Sequence, residues 1–223
     1  MNYHGFLSSF PRTYVGRGPA DRPDVCLTFD DGPGDATPVL LETLRQLEVK
    51  ATFFCLGDAA RRHPDQIHAI VADGHDLGSH GLSHLDLRQL SSDAFGHGQV
   101  IPSIRVIEDI AGQSVRLFRP PYGEISAPQV QWLEDAGYTL VGWSIDPQDW
   151  ADPMATGHVE RVVGEVLRHV HPGAIVLLHD GDDDDVDRRS ISDVVEGLVS
   201  PLRKKGFHFI GVEDMLERRI PAP

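Results

Sequence analysis

His80 and His84 stand four residues apart, and Asp30 and Asp31 stand side by side after an apolar run. On one helical turn, two imidazoles at that spacing point the same way, as a shared metal ion requires. Such a pair alone is a weak signal, because isolated His pairs are commonly solvated or packed. A carboxylate from elsewhere in the chain must complete the ligand set, and Asp30 and Asp31 offer two. Adjacent carboxylates at a strand end repel each other, which is costly unless a cation or an arginine stands near. Two His and one Asp leave coordination positions open to water and substrate, as catalytic rather than structural zinc needs. Taken by itself, Asp30-Asp31-Gly32-Pro33 also reads as a plain turn.

Other polar residues fall at similar places. Arg119-Pro120-Pro121-Tyr122-Gly123 is stiffened by its prolines, so a main-chain N–H there can be aimed at a developing oxyanion. Its plainer reading is a proline-rich connection with a surface Arg. Asp146 and Asp149-Trp150 read as loop residues, and Leu178-His179-Asp180 as a strand end. A His that ends a buried apolar strand needs a polar partner, which makes His179 the most telling of these.

The elements that must position these groups alternate along the chain. Apolar runs predict strands over 25–29, 51–56, 76–79, 115–119, 138–145, 174–178 and 207–211. Between them, Leu40, Leu44 and Leu47 describe one helical face. Ile67, Ile70 and Val71 describe another, with Pro64 suited to its first turn. A helix through Ile101, Ile104, Val106 and Ile107 ends near Gly112, and one through Val130 and Leu133 closes at Gly137. Helices over 159–170 and 194–202 complete the set. Strands alternating with helices imply a parallel sheet, either closed into an irregular barrel or open and doubly wound. In both, the strand carboxyl ends share one face, and that face carries the site. Asp30, His80, Arg119, Asp149 and His179 each follow or end a different strand, so segments distant in sequence converge there.

The 223 residues suit one domain spanning 1–223. Forty per cent apolar and 24% charged residues are ordinary for a soluble globular chain. Apolar runs such as 174–178 are too short to cross a bilayer. Residues 1–10 lack the cationic and then apolar pattern of a secretory signal, so a cytoplasmic location is expected. The formal net charge of −14 argues against nucleic acid and anionic membranes as partners, and against an acidic polymer as substrate. Cys26 and Cys55 sit in strand-like runs and read as buried free thiols. The acidic run 182–185, extended by Asp187, reads as a solvated loop near the cleft rim that favours an amine-bearing product or a partly deacetylated substrate. Nothing in the sequence indicates an oligomeric state.

Taken together, these segments resemble the polysaccharide deacetylase family, the family 4 carbohydrate esterases that share the NodB homology domain. Thr28-Phe29-Asp30-Asp31-Gly32-Pro33, His80-Gly81-Leu82-Ser83-His84, Arg119-Pro120-Pro121-Tyr122-Gly123, Asp146-Pro147-Gln148-Asp149-Trp150 and Val176-Leu177-Leu178-His179 look like its five motifs. They occur in the family's order and span about residues 25 to 180. Within the family, the stretch 143–181 looks most like the chitooligosaccharide deacetylases. One departure is visible: the second motif usually has Ser or Thr after its first His, and here Gly81 stands there. That bears on the rigidity of the loop, not on metal ligation.

The resemblance implies a distorted (β/α) barrel of seven to eight parallel strands. It implies one divalent ion of the zinc type, with cobalt, nickel or manganese as alternatives, held by Asp31, His80 and His84. Asp30 would be the general base, kept ionised by Arg119. Asp149 would orient His179 as the general acid, and Tyr122 would offer its backbone N–H to the oxyanion. Trp150, Leu177 and Pro121 would line the pocket for the acyl group. The implied substrate is a small amino sugar or an N-acetylglucosamine-containing oligosaccharide. A formamide, a cyclic imide or an acylated natural-product intermediate would suit the same machinery. A catalytically inactive binding domain would have lost Asp30 or a metal ligand, and all are present.

Overall fold

The longest apolar strand organises the rest. Asp24–Asp30 forms β2, buried along its whole length. Around it lie β1 (Tyr14–Val15), β3 (Thr52–Cys55), β4 (Asp76–Ser79), β5 (Leu117–Phe118), β6 (Thr139–Val141), β7 (Ala174–His179) and β8 (His208–Phe209). The structure is a computed structural model that describes residues 9–181 and 187–218. All pairings are parallel, in the order β1-β6-β5-β4-β3-β2-β7, with β8 joined to the start of β2.

The sheet closes. Just beyond β6, Ile145 bridges Val176 of β7 in parallel. The Ser144 amide donates to Ile175 O at 3.0 Å, and the Leu177 amide donates to Ile145 O at 2.9 Å. The chain after β6 thus covers the edge of β7, and the architecture is an irregular (β/α) barrel rather than an open sheet. The apolar run predicts a strand on to 145, whereas its regular pairing stops at Val141 and only Ile145 resumes it. β1, two residues long, was not predicted.

Alternation along β2 sets what faces where. Val25, Leu27 and Phe29 belong to the larger core, shared with the surrounding helices. Cys26 packs on the other side with Val15, Phe54, Leu117, Val141 and Ile175, in the smaller cluster inside the barrel. Thr28 and Asp30 have the parity of Cys26, and Leu177 and His179 that of Ile175. Asp30 and His179 are register partners on adjacent strands, so both side chains crown the barrel interior. Both cysteines are buried free thiols.

The helices follow their apolar periodicity. Thr37–Gln46 buries Leu40, Leu41 and Leu44, and Ile191–Lys204 buries Val194, Val195, Leu198 and Leu202. Ile101–Ala111 and Ala127–Ala136 end at Gly112 and Gly137, both left-handed (φ 68° and 77°), as the sequence predicted. The acidic run 182–185 lies outside the described residues. Asp187 is exposed and paired with Arg189 at 2.6 Å.

Candidate active site

The carboxyl ends of β2, β4 and β7 and the loops after β5 and β6 enclose a cavity of about 440 Å³. Asp30, Asp31, His80, His84, Tyr122, Trp150, Leu177 and His179 all line it. Arg119 and Asp149 stand behind Asp30 and His179. Pro121 is buried at the start of its turn and is not on the cavity wall.

Asp31 leaves the end of β2 in a left-handed conformation, φ 73°. Its turn is packed from behind by the residues after β7. A Cβ on Gly32 would come within 2.5 Å of Asp180 Oδ1, and one on Gly181 within 2.1 Å of the Asp31 carbonyl carbon. Only glycine fits either position. Asp180 accepts a 2.6 Å hydrogen bond from the Thr37 hydroxyl, and its amide donates to Asp30 O. Burial, with Asp31 and Asp30 close by, pushes the Asp180 pKa up to about 7 against the pull of Thr37.

Asp31 Oδ1 lies 3.4 Å from His80 Nε2 and 3.4 Å from His84 Nε2. Donors held at about 2.0–2.1 Å from a tetrahedral ion lie about 3.4 Å from one another. Asp31 Oδ1 is buried with no hydrogen-bond partner, a costly state unless something cationic faces it. His80 Nδ1 is 2.8 Å from Arg119 O, an acceptor, so that nitrogen carries the proton and Nε2 keeps its lone pair. Burial keeps the His80 pKa below its ordinary value despite Asp30 and Asp31, so the ring is neutral, as a ligand must be. These three residues fit a divalent ion; among the described residues they form the one His/Cys/Asp/Glu group close enough to hold one.

The pair does not sit on a helical turn as the spacing suggested. Residues 80–86 are an irregular loop, and Gly81 has φ +91°. The rings still converge, with centroids 5.4 Å apart, because the loop folds back between them.

Asp30 is held differently from Asp31. Its Oδ1 accepts from Arg119 Nη1 at 2.7 Å, in a pair whose side chains are 0% and 3% exposed. The guanidinium also donates to Thr28 Oγ1, Val141 O and Gly142 O, and lies 4.1 Å over the Phe54 ring. The surface Arg of the plainer reading is therefore a fully buried one. Across the cavity, Asp149 takes both the His179 backbone N–H and its ring Nδ1, each at 2.8 Å. That leaves Nε2 as the ring nitrogen for the cavity. Burial by itself lowers the His179 pKa; the Asp149 carboxylate, with Asp31 and Asp30, overrides it and raises it to about 9. Tyr122, at φ 59°, sits at the apex of the turn Pro121–Gly123, its ring edge-on to His84 at 4.4 Å.

Residues 17–141 match the sequence profile of the family described as polysaccharide deacetylase. The chain belongs to that family. It is 33% identical over 205 residues to a peptidoglycan-N-acetylglucosamine deacetylase of Bacillus cereus, covering 92% of this chain and 72% of that one. It is 42% identical over 159 residues to a chitooligosaccharide deacetylase of Bradyrhizobium, covering 70% of each. The crystal structure of a peptidoglycan N-acetylglucosamine deacetylase in complex with 4-naphthalen-1-yl-N-oxidanyl-benzamide superposes with a TM-score of 0.86 at 31% identity. It covers 96% of this chain and 97% of that one.

This member of the polysaccharide deacetylase family uses more residues at its site than the sequence pointed to. Trp143, Gly123 and Arg188 also line the cavity. A Cβ on Gly123 would come 2.4 Å from the Trp143 ring, so glycine there lets the indole close the wall. Arg161, on the helix His158–His169, donates to the carbonyls of Pro147, Gln148 and Ala151 at 2.9–3.0 Å. It clamps the loop that carries Asp149, in which Gln148 and Asp152 hold positive φ. Apart from His158 Nδ1 at 3.3 Å on its own helix, its partners are main-chain carbonyls, which leave no side-chain spacing to read.

Proposed function

We propose that this chain is a metal-dependent N-deacetylase that hydrolyses the acetamide of N-acetylglucosamine in short, soluble, chitooligosaccharide-like chains. Acetate and a free amine result. The observation that carries the reading is the Asp31, His80 and His84 trio at ligand-to-ligand spacing, flanked by an Arg-held carboxylate and an Asp-held imidazole. The 42% identity to a protein named chitooligosaccharide deacetylase supports the substrate class. The relatives are named for removing acyl groups from amino sugars, which disfavours formamide, cyclic imide and natural-product substrates.

When bound, a zinc-type ion supplies Lewis-acid polarisation of the acyl carbonyl and acidifies a water towards a pKa of about 7. Asp30, held by Arg119, takes the proton from the attacking water. The Tyr122 backbone N–H donates to the oxygen that gains charge. His179 Nε2 then protonates the departing nitrogen, since an unprotonated amide anion is too poor a leaving group. Trp150 and Leu177 wall the acetyl methyl and keep bulk water from it. We place the activity in a single catalytic domain and expect it in the cytoplasm. Among the described residues no helix is long and apolar enough to cross a membrane.

The substrate claim has a direct test. Acetate is expected to be released faster, per enzyme and at equal acetyl content, from N-acetylglucosamine oligomers of two to five units than from insoluble chitin or peptidoglycan. Faster work on the polymers would overturn the preference for short chains.

A further inference from the structure

We infer that Gln99 is a positioning residue for the metal site, locking the His80 to His84 loop so that His84 meets Asp31. The inference rests on the metal reading above. His80 has its own anchor through Nδ1 to Arg119 O. His84 stands on the far side of Gly81, whose φ of +91° and missing side chain give the loop no stiffness of its own. The loop backbone from Gly81 to Ser83 is instead fixed by groups outside it. Gly81 N donates to Ser79 Oγ, and Gly81 O and Leu82 O accept from Gly57 N and Asp58 N. Leu82 N and Ser83 N, the two amides that precede His84, both donate to one atom, Gln99 Oε1, at 3.1 and 3.2 Å.

Gln99 is 8% exposed and sits in a π-helical turn, Gly96–Val100, where the Ile101 amide reaches back to Gly96 O. Such turns are rare and concentrate at functional sites. Here the turn runs straight into the helix Ile101–Ala111, whose Ser103 hydroxyl is 2.9 Å from Ser79 Oγ, the acceptor for Gly81 N. One helical unit therefore grips both ends of the segment between the two histidines. Deleting the Gln99 carbonyl orphans two amides and frees the backbone that aims His84.

The test compares wild type with Gln99→Leu, Gln99→Glu and Ile107→Ala. Glu keeps an oxygen that accepts both amides. Ile107 is a buried residue of the following helix, so its truncation destabilises the fold without touching the loop. Two quantities are read: amide hydrogen exchange of Leu82 and Ser83 in metal-free protein, and zinc affinity by chelator competition. Gln99→Leu should speed those two amides about two- to tenfold and weaken zinc binding about 10–100-fold. Gln99→Glu should restore both, and Ile107→Ala should leave zinc affinity near wild type. Wild-type zinc affinity in Gln99→Leu, equal losses in Gln99→Leu and Ile107→Ala, or no rescue by Glu would overturn the inference. If wild-type protein binds no zinc while Gln99→Leu still frees the amides, the metal reading fails and takes the positioning role with it, although the loop anchor stands.

Discussion

Asp30→Asn should lower deacetylation about 10²–10⁴-fold, the usual loss on removing a general base, while the protein keeps its metal. The geometry separates the two adjacent carboxylates. Asp31 Oδ1 is 3.4 Å from both histidine Nε2 atoms, whereas the nearest approach of Asp30 to His80 Nε2 is 3.9 Å. Asp30 is turned instead to Arg119, which sits on β2's interior side with Thr28 and Phe54. Asn keeps an acceptor oxygen for the guanidinium but removes its counter-charge, so a loss of about 1–3 kcal/mol in stability should accompany the loss of rate. Rates and metal content of the purified variant check this. A variant that keeps its rate, or that loses its metal instead, would mean the roles given to Asp30 and Asp31 are wrong.

His179→Ala should cripple hydrolysis of an amide and spare an activated ester. An amine leaves only with a proton, whereas a phenolate leaves without one. The expected split is about 10²–10⁴ on the amide, against a small change on the ester, measured as kcat/KM for an N-acetyl sugar and an aryl acetate. The raised pKa of His179 fixes the sign of the pH dependence. The ring is protonated below about 9, so activity that needs the acid falls as pH rises through that value. A dication beside Asp31 would bring that fall to lower pH. The linked stability has the same sense: full below about 6.5, the free imidazole value, and lost through about 9. The basic limb should vanish for the residual amide activity of His179→Ala. Equal losses on both substrates would remove the general-acid role.

Much of the barrel was legible because its strands are apolar runs that end in polar residues. Val25 to Phe29 and Ala174 to Leu178 are continuous apolar runs, and the residues just after them, Asp30 and His179, meet at one rim because the two strands pair in parallel. Helix ends were legible where Gly112 and Gly137 take the left-handed cap. β1 was not, since two residues show no period. Nor was the break in the run after Val141, where the chain leaves β6 and rejoins β7 through Ser144 and Ile145. The His80 and His84 spacing suggested a helical turn, whereas the two rings come together from an irregular loop. The braces, Gln99 and Arg161, act on backbone groups, and Trp143 and Arg188 enter through folding at long range. None of these leaves a spacing in the sequence.

The site is proposed to remove acetate from an N-acetylglucosamine oligomer only with its metal bound. Chelator-stripped protein titrated with zinc, with acetate and new primary amine counted on chitotetraose, tests it most directly. Release should be negligible without metal, rise to a plateau at one ion per chain, and give one amine per acetate. Undiminished release from the stripped protein, or none at saturating zinc, would contradict it.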